Sequence, residues 1–121
     1  MQKQTVYSHA QKKLDPISYR LFVYLVERLR TVGLPTTYEP VGTHLGVAWH
    51  HNALGPYLAS VTRYTLEQYD FLLSAIVHAA GTGQPGDGFP VFAWELGVRI
   101  NSPLWYDQEL QKMTAWATAL T

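Results

Sequence analysis

Asp87 and His78 are the residues of this chain best suited to acid–base chemistry, a carboxylate inside a glycine loop and an imidazole shortly before it, with Ser74 and Thr82 as nearby hydroxyls. A carboxylate can orient an imidazole, and an imidazole can take a proton from a hydroxyl near neutral pH. The loop itself reads GTGQPGDG and holds four glycines and a proline, more backbone freedom than an ordinary connection needs. Its amides could cradle a phosphate, but it has no Walker lysine and does not fit the dinucleotide fingerprint. Asp87 before Gly88 also fits an Asx-type turn without chemistry. An enzyme using His78 and Asp87 is therefore the third-ranked reading, and the loop residues Thr82, Gly83, Gln84, Gly86 and Asp87 are read first as a binding surface.

Four histidines, His44, His50, His51 and His78, raise the question of a metal. The spacing argues against one: there is no HExxH, adjacent His50 and His51 would point apart on a helix, and no acidic residue lies close enough in sequence to complete a set. Neither metal nor cofactor is expected. Cysteine is absent, which excludes disulfides, thiolate sites and a thiol nucleophile. No apolar leader run opens the sequence and no stretch reaches transmembrane length, so a cytoplasmic protein without a membrane partner is expected.

Charge divides the chain. Its formal net charge is zero, yet residues 1–30 carry Lys3, Lys12, Lys13, Arg20, Arg28 and Arg30 against Asp15 and Glu27, a net of +4. The remainder nets −4, with Arg63, Arg99 and Lys112 outnumbered by seven acids. A basic first third suits phosphate or an acidic protein, and equally a solvated helix face with opposite charges beside it.

The elements that must position these groups can be read from capping and periodicity. The 121 residues, 47% hydrophobic, suit one domain with a core of its own. Residues 1–14 are polar and are expected to form a mobile segment, leaving a domain over 15–121. Asp15-Pro16 starts a long helix with Ile17, Leu21, Tyr24, Leu25, Val26 and Leu29 inward, closed by Gly33 and Pro35. Thr36-Thr37-Tyr38 reads as a short extended piece, and 39–45 as a small helix ended by Gly46. Residues 49–63 read as a second small helix, with Asn52 as a cap and Gly55-Pro56 in its first turn. Tyr64 to Asp70 reads as a polar connector, and 71–79 as a strand by alternation of Leu73, Ala75 and Val77. A helix from Phe89-Pro90 to Leu96 and a last one over 107–120 complete the chain.

This order resembles a winged helix-turn-helix. More narrowly, Thr37-Tyr38, Leu45-Gly46, Ala53-Leu54-Gly55 and the run Leu72 to Gly83 resemble the DNA-binding domain of O6-alkylguanine DNA alkyltransferases and their alkyltransferase-like relatives, over roughly residues 36–88. That family carries a Pro-Cys-His-Arg reactive motif before the loop; here no thiol is present, so the resemblance implies no alkyl transfer. It also places an arginine where a flipped base leaves a gap, and the matching position is Asn52. The ThrGly-x-ProGly-x-GlyPhe pattern of 82–89 resembles one found in small bacterial or phage proteins.

The fold class expected is thus α+β, mainly helical, a winged helix-turn-helix-like single domain with a long N-terminal helix and a C-terminal helix. Its expected function is non-enzymatic binding of nucleic acid, double-stranded DNA first. The second small helix would enter a major groove with His50, His51 and Asn52 at base edges, Lys12, Lys13 and Arg20 on the backbone, Tyr38 and Arg63 as further nucleic-acid contacts, and the glycine loop as wing. The alternative is a protein-binding inhibitor or adaptor of phage or mobile-element origin, which the acidic, aromatic-rich remainder of the chain would suit. Homodimerisation is compatible with either.

Overall fold

A computed structural model describes residues 1–49 and 51–121, with the side chains of 51 and 52 outside the description. The helix start read at Asp15 is present: its carboxylate accepts from the Ser18 amide at 3.0 Å, and Pro16 occupies a position that needs no donor. That hydrogen bond holds the Asp15 carboxyl below its ordinary range. The resulting helix, α2 (Pro16–Thr31), is the spine of the molecule. Leu21, Phe22, Leu25, Val26 and Leu29 are buried along it, and α1 (Lys3–Lys13), α3 (Tyr38–Leu45), α4 (His51–Tyr69) and α6 (Leu104–Thr118) pack around it.

The first fourteen residues, read as a mobile segment, are mostly helical. They form α1, which buries Val6 and Ala10 and sets Tyr7 edge-on to Phe22. Tyr7 donates to Glu27 at 2.5 Å, and Lys3 and Arg30 reach the same carboxylate at 3.7 and 3.2 Å. Burial pushes the Glu27 carboxyl up; the Tyr7 hydroxyl and the two cations more than reverse it, leaving it below its ordinary value. Val6 and Ala10 make too sparse an apolar stripe to stand out from the polar composition of α1. The chain ends meet here: the Lys3 amide donates to the Thr121 carbonyl at 2.9 Å, and the Thr121 amide to Met1 at 3.1 Å.

Two arginines of α2 anchor the segments that come after it. Arg28 donates to the carbonyls of Leu34 and Pro35 at 2.9 and 2.7 Å, steering the chain into β1 (Thr36–Thr37). Arg20 donates to the carbonyls of His44 and Leu45, at 2.9 and 3.3 Å, where α3 has run out of amides. Gly46, at φ 72°, then turns the chain out of α3 as expected.

Two expectations fail between 64 and 79, for one physical reason. The polar connector is absent because α4 continues to Tyr69, with Thr62, Tyr64 and Thr65 turned into the core. The strand read over 71–79 is cut to its last part because side chains, not a neighbouring strand, take the amides of 72–74. Glu109 of α6 accepts from Leu72 at 2.8 Å, Thr65 from Leu73 at 3.3 Å, and Thr62 from Ser74 at 3.1 Å. With those amides satisfied, Leu73–Ile76 closes into a 3-10 turn buried on all sides. Pro56 lies in the second turn of α4, beyond the first turn expected, and removes one donor there.

Thr62 is the hinge of this arrangement, since its hydroxyl also donates to Ser74 Oγ at 2.7 Å. Thr62→Val keeps the shape and removes both bonds, leaving a buried amide without an acceptor. The expected cost is about 2 kcal/mol, read as a lowered urea midpoint at unchanged slope. A loss within error of zero would show that the turn finds other partners.

Strand character survives only in β2 (Val77–His78), which pairs with β1 in parallel, Thr36 opposite Val77 and Thr37 opposite His78. The glycine segment, read as a wing, carries no strand among the described residues. It folds on itself, the Ala79 amide donating to the Gln84 carbonyl at 2.9 Å, and runs into α5 (Gly88–Glu95). Among the described residues the molecule is thus a mainly helical α+β fold of six helices and one small two-stranded sheet. No helix among them is long and apolar enough to cross a membrane.

Candidate functional site

The glycine loop, the N-terminal half of α4 and α5 enclose a cleft of about 720 Å³. Four aromatic residues line it: Tyr38 at the start of α3, Trp49 before α4, and Phe89 and Phe92 on α5. Its α4 wall is low, because Gly55 and Ala59 lie one turn apart and Leu58 fills the space between. Pro85, Gly86 and Asp87 form the loop side, and Ser74 lies at the cleft with its Oγ already accepting from Thr62.

The loop is held to this wall by Tyr38, whose hydroxyl accepts from the Gly86 amide at 3.3 Å. A Cβ on Gly86 would lie 3.0 Å from that oxygen, so the close approach favours glycine. Thr82 shapes the rest: its hydroxyl donates to the carbonyls of Ala79 and Gln84, at 2.9 and 2.8 Å, and accepts from the Gln84 amide at 3.1 Å. Thr82, Gly83 and Gln84 are exposed and build the turn without lining the cleft.

The acid–base pair read from the sequence is not assembled. His78 Nε2 donates to the Ala75 carbonyl at 3.1 Å, His78 does not line the cleft, and no hydrogen bond joins it to Asp87. Burial pushes the imidazole below its ordinary pKa, against the opposite pull of the Ala75 carbonyl. Asp87 is exposed at the cleft and precedes α5, but its side chain makes no cap bond, so the Asx-type turn is also not formed. Among the described residues no three His, Asp or Glu side chains gather as a metal set; His44 instead stacks on Tyr24 at 4.3 Å.

Most of the basic N-terminal third is spent internally. Arg20 holds α3, Arg28 holds the approach to β1, and Lys3 and Arg30 sit on Glu27. Arg20, read as a backbone contact, is therefore a helix cap. Lys12 and Lys13 are exposed in the last turn of α1 and form no ion pair among the described residues. Arg63 on α4 is likewise without an ion pair among them, and its guanidinium lies over the Phe92 ring at 5.2 Å, at the margin of the cleft. His50 and the side chains of His51 and Asn52, the expected base-edge readers, lie outside the described residues.

The sequence pointed to Tyr38 as a nucleic-acid contact and to Gly86 and Asp87 as a loop surface, without joining them in one site and without Gly55, Leu58, Ala59, Phe89 and Phe92. The small pair Gly55 and Ala59 at helical spacing was the available signal, since it leaves a groove beside a long helix. Comparison of the chain with family models, with curated proteins and with solved structures found no match.

Proposed function

We propose that this chain is a small non-enzymatic, winged-helix-like protein that binds nucleic acid and holds one unstacked base in the cleft. The observation that carries the reading is the cation on the aromatic margin: Arg63 lies over Phe92, beside a cleft lined by Tyr38, Trp49 and Phe89. Aromatic faces stack on any base, and a neighbouring cation answers the phosphate that comes with it. The cleft volume falls within the range of small-ligand sites, about 300–1,000 Å³, and its walls are largely apolar with a few polar groups at the edge. In this reading α3 and α4 act as the helix-turn-helix, and the compact glycine turn stands where a wing would.

Gly55→Leu tests it. A Cβ at Gly55 meets nothing within 4 Å, so the larger side chain enters the open cleft and should leave the fold intact. Fluorescence anisotropy with a labelled oligonucleotide should show binding by the wild-type chain and at least tenfold weaker binding by the variant, at an unchanged melting temperature. Equal affinity in a folded variant would remove the base from the cleft. A protein partner is the second reading, favoured by Val91 and Trp94 exposed on α5 and Leu104 exposed at the start of α6.

A further inference from the structure

A second, smaller depression lies between the end of α1 and the middle of α4. It has a volume of about 420 Å³, and Lys13, Ser60, Arg63, Tyr64, Glu67 and Gln68 line it. Two cations from different helices converge here, and neither is in an ion pair among the described residues. They are accompanied by a hydroxyl on Ser60 and an amide on Gln68, both able to donate to an oxyanion. The Tyr64 hydroxyl lies 2.6 Å from His9 Nδ1, so it is engaged behind the hollow. Arg63 is held against Phe92, which restricts its guanidinium before any ligand arrives.

We propose that this hollow is a phosphate-binding site, in which Lys13 and Arg63 grip a phosphate monoester or the diester of a nucleic-acid backbone. Arg63 offers a planar fork and Lys13 a mobile point charge, the pairing that suits a tetrahedral anion approached from two sides. Glu67 lines the same hollow one turn after Arg63 and opposes the anion, so the site is tuned weak and its sign can be checked in both directions. Because Arg63 walls the hollow and lies on Phe92, which walls the cleft, a phosphate in one and a base in the other would belong to one continuous strand. The backbone arm of this proposal rests on the nucleic-acid reading above; the monoester arm does not.

The full chain is titrated in two ways, with Lys13→Gln, Arg63→Gln and Glu67→Gln alongside. In the first, a labelled twelve-residue oligothymidylate is followed by anisotropy over a range of salt. Each cation removed should lower the slope of log affinity against log salt by about 0.7, the value for one single-strand phosphate contact. Glu67→Gln should strengthen binding severalfold. In the second, sodium phosphate replaces chloride at constant ionic strength while backbone amide resonances are recorded. Saturable shifts at Ser60, Arg63 and Gln68, lost in Arg63→Gln, are expected.

Oligonucleotide binding whose salt slope is untouched in Lys13→Gln and Arg63→Gln, with no phosphate shifts in the hollow, overturns the hollow and leaves the nucleic-acid reading standing. Phosphate shifts in the hollow without oligonucleotide binding support a site for free phosphate esters and remove the nucleic-acid reading. Neither response overturns both.

Discussion

Glu109→Ala should cost this protein about 2–4 kcal/mol of folding free energy. The Glu109 side chain is 6% exposed, and its two oxygens do different work: one accepts from the Leu72 amide at 2.8 Å, the other meets Lys112 at 3.0 Å. Lys112 also donates to the Asp70 carbonyl at 2.7 Å, on a residue held at φ 62°. One acidic side chain thus pins the exit of α4 to α6. Removing it strands a buried amide and frees the cation that secures the turn before it. Glu109→Gln keeps an acceptor for Leu72 and loses only the pairing with Lys112, which is half exposed, so about 1 kcal/mol or less is expected from it. Urea unfolding of the two variants separates the contributions. Equal losses would mean that the charge, not the acceptor, holds the turn; a loss below about 1 kcal/mol in the alanine variant would mean that the turn is held elsewhere.

Gly42→Ala is expected to cost about 3 kcal/mol and to weaken ligand binding at the same time. A Cβ there would lie 2.6 Å from Trp49 Cβ, 2.7 Å from Trp49 Cα and 3.0 Å from the Val47 carbonyl. Two of these three atoms are backbone, so no rotamer change relieves the clash; the segment carrying Trp49 must move away from α3. Trp49 is a wall of the cleft, and its displacement opens the site on that side. The test pairs thermal unfolding with oligonucleotide anisotropy. Gly55→Leu blocks the cleft in a stable protein, whereas Gly42→Ala should lower stability and affinity together. Full affinity in a destabilised Gly42→Ala would show that Trp49 contributes no binding surface.

What the sequence revealed about the fold lies where a local signal decides the structure. Asp15-Pro16 caps and starts α2 whatever packs against it, and Gly46 ends α3 because few other residues adopt its backbone angles. The failures occur where distant side chains decide. Leu72 to Ser74 read as strand because they alternate and are apolar, yet their amides are claimed by Glu109, Thr65 and Thr62, from 8 to 37 residues away. Tyr64 and Thr65 read as a polar connector because their hydroxyls are polar, whereas those hydroxyls face partners inside. The site divides in the same way. The glycine loop announced itself by composition, and Asp87 with it, whereas Tyr38 was named separately, from the short extended piece before α3. The pairing of Arg63 with Phe92, 29 residues apart, depends on α5 returning across α4, which no local pattern records.

The same distinction applies to charge. Six cations in the first thirty residues suggested a basic surface, but four of them serve carbonyls or Glu27, and only Lys12 and Lys13 remain without such a partner among the described residues. Counting charges along a chain overstates a binding face when arginines double as helix caps.

The mutual hydrogen bonds between Met1, Lys3 and Thr121 place the two ends of this chain side by side. In the unfolded chain the same ends wander across a coil whose radius of gyration is about 35 Å. A donor dye on one end and an acceptor on the other would therefore exchange energy almost completely when the protein is folded and far less when it is not. Because those ends lie where α1 starts and just after α6 finishes, and both helices pack on α2, such a pair would report the release of the two terminal helices from α2, a local opening that a global probe averages away.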